Sequence, residues 1–159
     1  MEKIILNAAE HGDMLVDILR CGGYIPLSVT GISMMPLLRP ERDIVWLKAW
    51  APGTLKPGRI LLFRRSDGSF ILHRIRRVYA DGRILMNGDA QRWCEITDEA
   101  HAVAVAWEIT RGGRRMPCTA WRLRLWDLLW YPTRPLRPAL FRLNTLIKSC
   151  LSKAPKGSP

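Results

Sequence analysis

The hydrophobic pattern of this chain changes from helical to strand-like spacing after its first twenty or so residues. Apolar side chains recur at helical spacing over residues 8–20, and Gly22 and Gly23 follow as a stop signal, which predicts a short amphipathic helix. From Tyr24 onward, short runs rich in Val, Ile, Leu and Phe are separated by turn residues, which is typical of β-strands. The predicted strands span 24–30, 43–48, 59–64, 69–79, 83–87 and 102–109.

Turn signals between these runs indicate how the strands connect. Asp67-Gly68 and Asp81-Gly82 each lie between two apolar runs and predict hairpins, so the sheet is expected to be coiled and mostly antiparallel. After Arg111-Gly112-Gly113 the strand pattern ends. Helical patterns follow at 120–131 and 139–151, and Pro132, Pro135 and Pro138 between them predict an extended linker.

The sequence therefore predicts a mainly β fold with a short N-terminal helix and C-terminal amphipathic helices. Two regions are expected: a β domain with its helix over 1–110, and a basic, Trp-rich helical tail over 111–159. The total of 159 residues suits one compact domain with an appendage and excludes two large domains.

Composition narrows the cellular setting. The longest unbroken apolar run, Ala102 to Trp107, has six residues, whereas a membrane-spanning helix needs about 20. The acidic start lacks the apolar core of a secretory signal, which predicts a cytoplasmic protein. The four cysteines form no CxxC pair and are read as reduced structural thiols. No cofactor and no metal site is expected.

Charge is distributed very unevenly. Residues 1–110 carry 14 Lys/Arg against 13 Asp/Glu, whereas residues 111–159 carry 11 against one. Basic helices with Trp side chains are typical of the lipid headgroup region, so peripheral contact with the cytoplasmic face of a membrane through residues 119–151 is the preferred interpretation. The alternative is that the first tail helix packs on the sheet and its arginines are simply solvated. Nucleic acid is the least favoured partner, because no helix-turn-helix or aromatic RNA-binding platform is recognisable.

Candidate chemistry centres on one serine and one histidine. Ser33 follows Gly31 and precedes Pro36 at the end of a predicted strand, but a lone serine needs a positioned base to act as a nucleophile. His73 lies mid-strand on the face shared by Ile71 and Ile75, where a histidine by itself is most simply a core residue. The basic residues around it are arginines, which do not act as bases.

The two residues stand within a longer constellation. Gly31-Ile32-Ser33-Met34-Met35-Pro36 is followed by Leu55-Lys56-Pro57-Gly58, then His73-Arg74, then Asn87-Gly88-Asp89-Ala90. This order resembles the superfamily of signal peptidase I and self-cleaving repressor peptidases over residues 24–110. The His-Arg pair makes it most similar to the branch of endoplasmic-reticulum and archaeal signal peptidases, in which histidine replaces a lysine base.

The resemblance implies the coiled antiparallel sheet of that superfamily and a role for each matched residue. Ser33 would be the nucleophile, His73 the general base and Asp89 the carboxylate that orients the imidazole, with Asp98 as a fallback. Gly31, Ile32 and Met34 would line the cleft and the oxyanion site. At Gly31 the side-chain hydroxyl donor that bacterial signal peptidases offer is missing, so a backbone amide would have to replace it.

Three functions remain open from the sequence. The preferred one is a serine endopeptidase that cleaves a polypeptide bound as an added strand. The alternative is a catalytically inactive module with the peptidase fold that binds a peptide, a partner protein or a membrane surface. A self-cleaving regulator ranks last, because a DNA-binding region and a scissile loop are not evident.

Overall fold

A computed structural model describes residues 8–119 and 121–143 of the chain, with side chains from Met14 onward. Helix α1 spans Ala8–Arg20 and helix α2 spans Trp121–Trp130. The strands are β1 (Ile25–Ser28), β2 (Asp43–Lys48), β3 (Ile60–Arg64), β4 (Phe70–Val78), β5 (Arg83–Asn87), β6 (Glu95–Asp98), β7 (Ala102–Arg111) and β8 (Arg114–Pro117). Short 3₁₀ helices lie at Glu99–His101 and Tyr131–Leu136, and residues 137–143 are helical.

The predicted mainly β fold is confirmed. The described strands form one antiparallel sheet in the order β1-β2-β7-β3-β4-β5-β6, with β8 paired to β7, and the sheet does not close into a barrel. Both predicted hairpins are present, with positive φ angles at Gly68 (85°) and Gly82 (82°) that suit glycine. Helix α1 ends where Gly22 adopts a φ of 80° and Gly23 donates a hydrogen bond to the Ile18 carbonyl.

The sheet buries a separate apolar cluster on each of its two sides. Alternation along β3 shows the division: Ile60 and Leu62 belong to one cluster, and Leu61 and Phe63 belong to the other. The first cluster includes Leu15 and Leu19 of α1 and Leu123 of α2, and we call its side of the sheet the helix side. We call the other side, where Ile75, Ile84 and Met86 pack, the far side.

The structure differs from the sequence prediction in two strands. Strand β6 carries polar residues at three of its four positions, and β8 contains two arginines, so neither shows the alternation that marks a half-buried strand. Strand β8 also carries the sheet past the predicted boundary at 110/111, because Gly112 and Gly113 form the turn of a hairpin that pairs β7 with β8.

The prediction of an extended linker between the tail helices is wrong. Residues Tyr131–Leu136 form a 3₁₀ helix, since the φ angle fixed by the proline ring is also that of a tight helical turn. Pro138 lies in the first turn of the helical segment 137–143, where its missing N–H costs no hydrogen bond. The remainder of the predicted second helix, 144–151, lies outside the described residues.

Candidate active site

Ser33 lies in the loop that follows β1 and forms part of the wall of a pocket. The pocket has a volume of about 470 Å³ and lies between two segments, 27–34 and 67–72. The first segment leads along the chain into Ser33, and the second leads directly into His73. Met34 is buried against the helix-side cluster, which fixes the loop below the serine, while Gly31 and Ile32 are exposed.

Two unpaired strand edges border this pocket. Strand β1 is at the end of the sheet and pairs only with β2. Strand β4 pairs with β5 from Arg74 onward, so its residues 70–73 have no strand on that edge among the described residues. Unpaired N–H and C=O groups on both walls are suited to an extended peptide that adds as a strand.

His73 is almost completely buried on the far side of the sheet, with 1% of its surface exposed. Its ring lies 6.0 Å from that of Phe63, and its Nδ1 lies 2.5 Å from Oε1 of Glu95 on β6. Arg65 binds the same carboxylate, since its Nε donates a 2.9 Å hydrogen bond to Oε2. Glu95 is thus the carboxylate that faces His73, whereas the motif resemblance predicted Asp89 there.

Burial lowers the pKa of His73 below its ordinary value, and the charge of Arg65 lowers it further, although Glu95 acts in the opposite direction. The imidazole is therefore neutral near pH 7 and able to accept a proton. Nδ1 of His73 and Oε1 of Glu95 face each other as an ion-pair contact, without a hydrogen bond between them.

Gly88 packs against the Ser33 backbone. It follows Asn87, the last residue of β5, which lies opposite Arg74 of β4. A Cβ atom on Gly88 would stand 2.7 Å from the Ser33 carbonyl oxygen, and the amide of Ala90 donates a 2.7 Å hydrogen bond to that oxygen. The Gly88 turn therefore fixes the Ser33 backbone, and among the described residues no hydrogen bond joins the side chains of Ser33 and His73.

Asp89 does not pair with His73. It accepts hydrogen bonds from Nε and Nη2 of Arg74 at 3.0 and 2.7 Å, and one from Arg76 at 3.3 Å. The physical reason is strand alternation: consecutive side chains of β4 point to opposite sides of the sheet, and Asp89 lies on the side of Arg74. The fallback carboxylate Asp98 lies 2.7 Å from Nδ1 of His101 instead.

The tail packs against this site. Asp127 of α2 contacts Arg74 and Arg76, and the indole N–H of Trp130 donates a 2.7 Å hydrogen bond to the Asp89 carbonyl. The fully buried Arg137 donates from Nη1 to three oxygens of the Gly88 loop: Oδ1 of Asn87 at 3.1 Å and the carbonyls of Gly88 and Gln91 at 3.1 and 2.6 Å. The tail thus holds the loop against which Ser33 rests.

Glu95, Asp127 and Arg137 were not predicted from the sequence. Glu95 could have been considered, because it is one of few carboxylates that follow the Gly88 turn closely enough in the chain to reach β4. Arg137 carried none, since arginines are frequent throughout the basic tail. Within residues 14–119 and 121–143, no three His, Cys, Asp or Glu side chains are grouped to hold a metal ion.

Among the described residues, no hydrogen bond uses the backbone N–H of Ser33. No helix within the described ranges has the length and apolar character needed to cross a bilayer.

No family model, curated protein or solved structure matches this chain.

Proposed function

We propose that this chain is a serine endopeptidase in which Ser33 is the nucleophile, His73 the general base and Glu95 the carboxylate that supports the imidazole. The observation that carries the proposal is the pocket between two unpaired strand edges, which has Ser33 on one wall and is bounded on the other by the segment of β4 that leads into the buried His73–Glu95 pair. The motif resemblance supports the same assignment of Ser33 and His73, and Glu95 takes the place proposed there for Asp89.

The substrate is an extended polypeptide. Backbone groups of 27–31 and 69–72 pair with the peptide, and the apolar walls formed by Leu62, Phe70 and Leu72 receive alternate side chains. Because the walls near Ser33 are apolar, we expect small or aliphatic side chains next to the cleaved bond.

Catalysis follows from the order of proton movements. The Ser33 oxygen attacks the peptide carbonyl carbon while its proton passes to Nε2 of His73, and Glu95 stabilises the imidazolium that forms. The Ser33 N–H donates to the oxyanion. The imidazolium returns its proton to the departing amine, and water then cleaves the acyl-serine by the same base.

The direct test is cleavage of a peptide library, with new termini identified by mass spectrometry. Wild-type protein should cut and Ser33→Ala should not, while Ser28→Ala provides the matched control because Ser28 lines the same pocket. If Ser33→Ala cuts as fast as wild type, the assignment of the nucleophile is wrong.

Gly88→Ala tests the geometry rather than the chemistry. The added methyl group would meet the Ser33 carbonyl oxygen, which belongs to the backbone and cannot rotate away. We expect cleavage to fall at least tenfold, since small misplacements of catalytic groups have large effects on rate. Gly82→Ala is the control, because a Cβ there meets no atom within 4 Å and only the turn's positive φ is strained. Normal cleavage by Gly88→Ala would mean that Ser33 does not act from its position beside Gly88.

The second candidate is a peptide-binding module without activity, which is favoured by one observation: Ser33 and His73 share no hydrogen bond among the described residues. It is distinguished by binding of library peptides that remain intact. If peptides bind equally well to wild type, Ser33→Ala and His73→Gln and none is cut, the cleft is a binding site alone.

A further inference from the structure

Helix α2 has two apolar faces, only one of which is used by the fold. The inner face bears Leu123, Trp126, Asp127 and Trp130, which pack on the domain or bond to the site. The outer face bears Trp121, Leu125, Leu128 and Leu129, which are 66%, 44%, 71% and 64% exposed. An exposed apolar stripe of this kind marks an interaction surface.

Two arginines border the outer face. At about 100° per residue, Arg122 and Arg124 project on opposite flanks of the stripe, and both are exposed. The apolar surface continues beyond α2 in Leu136, Leu140 and Leu143, with 61%, 39% and 55% exposed. We call this set of residues, from Trp121 to Leu143, the outer face of the tail.

We propose that the outer face of the tail docks on the surface of an anionic lipid bilayer. The apolar stripe would enter the boundary between headgroups and acyl chains, and the flanking arginines would extend their stems toward the lipid phosphates. Residues 121–159 contain eight Lys/Arg and one acidic residue, Asp127, which lies on the inner face. The surface is therefore complementary in charge to anionic lipid.

Charge also argues against a second copy of this chain as the occupant. A symmetric pair joined through this face would bring Arg122 and Arg124 of each copy close to those of the other, without an acidic partner on the outer face. The inner-face contacts with the Asp89 loop do not involve the stripe, so docking leaves the site assembled. The inference is independent of the proposed peptidase activity.

The test is sedimentation of the full chain with vesicles. Binding is expected to vesicles of equal parts phosphatidylcholine and phosphatidylglycerol, at least tenfold tighter than to phosphatidylcholine alone, because each basic residue near anionic lipid adds about fivefold. Replacing both exposed leucines in Leu128→Ala/Leu129→Ala should weaken binding about 100-fold, since each buried leucine side chain contributes about tenfold.

Ile96→Ala is the matched control, because Ile96 is 57% exposed and lies on β6, outside the outer face of the tail. Its binding should equal that of wild type. The proposal is overturned if the full chain does not sediment with anionic vesicles, or if the double leucine variant binds as well as wild type. A lipid-free dimer that the double leucine variant abolishes would assign the face to a second copy instead.

Discussion

Two neighbouring residues of β4, His73 and Arg74, each meet a carboxylate on opposite sides of the sheet, and the two pairs are built for different purposes. His73 meets Glu95 through one nitrogen, and burial lowers its pKa. Arg74 donates two hydrogen bonds to Asp89. Burial lowers the pKa of Arg74, but the charge of Asp89 outweighs burial, so the pKa of Arg74 is raised. One pair holds an imidazole that is neutral near pH 7, whereas the other is a permanent charge pair beside the loop that contacts Ser33.

The difference teaches that a carboxylate near a candidate histidine is not sufficient to define a catalytic group. Asp89 directly follows Gly88 in the sequence, but its position is determined by its contacts with Arg74, Arg76 and the indole of Trp130. Glu95 is further along the chain and reaches the histidine because β6 pairs with β5.

The largest expected effect is on the rate of peptide cleavage when the imidazole of His73 is removed. His73→Gln should lower the rate of peptide cleavage by about 10²- to 10⁴-fold, because glutamine cannot accept the serine proton. The rate on a peptide identified from the library gives the measurement. His101→Gln is the control, since His101 also contacts a carboxylate but is exposed. Equal rates for His73→Gln and wild type would remove histidine from the mechanism.

The next largest effect is on stability. Asp89→Asn leaves a buried arginine without its bidentate partner and should lower the free energy of unfolding by about 3 kcal/mol, measured by urea denaturation. Asp127 would still offset part of the buried charge of Arg74 in this variant. The exposed pair Asp81–Arg83 supplies the control, and Asp81→Asn should leave the free energy of unfolding close to that of wild type. If Asp89→Asn changed the free energy of unfolding as little as Asp81→Asn does, the buried Arg74–Asp89 pair would not hold the loop.

A smaller effect is expected when Glu95 loses its charge but keeps its shape. Glu95→Gln should reduce cleavage about tenfold, because the imidazolium is no longer stabilised. Since Glu95 raises the pKa of His73, the acid limb of the rate profile should also move to lower pH. Glu108→Gln, at a looser contact with Arg115, is the control. An unmoved acid limb would mean that Glu95 does not act on the base.

The smallest expected effect is a pH dependence of stability that arises from His73 alone. Its folded pKa lies below the unfolded value of 6.5, so the unfolded state binds the proton first as pH falls. Stability should therefore be full above about pH 6.5 and decline below it until the folded pKa is reached. The difference between wild type and His73→Gln in urea denaturation isolates this contribution. A difference that stays constant between neutral and mildly acidic pH would contradict a lowered pKa.

Local pattern was enough to predict most of the elements. The α1 helix, the strands β1 to β5 and β7, and both Asp-Gly hairpins follow from hydrophobic spacing and turn residues, which act over a few residues. Strands β6 and β8 did not show that pattern, because β6 lies at one edge of the sheet, β8 pairs only with β7, and neither is buried on alternate positions.

What the sequence by itself determined was the class of fold, since strands, turns and the first helix depend on residue type and local spacing. The motif resemblance added Ser33 and His73 as candidate residues, and their role stays a prediction. Only the tertiary structure decided which carboxylate faces the histidine and that the tail closes over the Gly88 loop. Those contacts join residues that are far apart in the chain, as when Arg137 meets Asn87 and Gly88, and strand register and helix packing select one partner among several of equal charge. Sequence spacing carries no such information about register, so the partners of His73 and Asp89 were set by the fold.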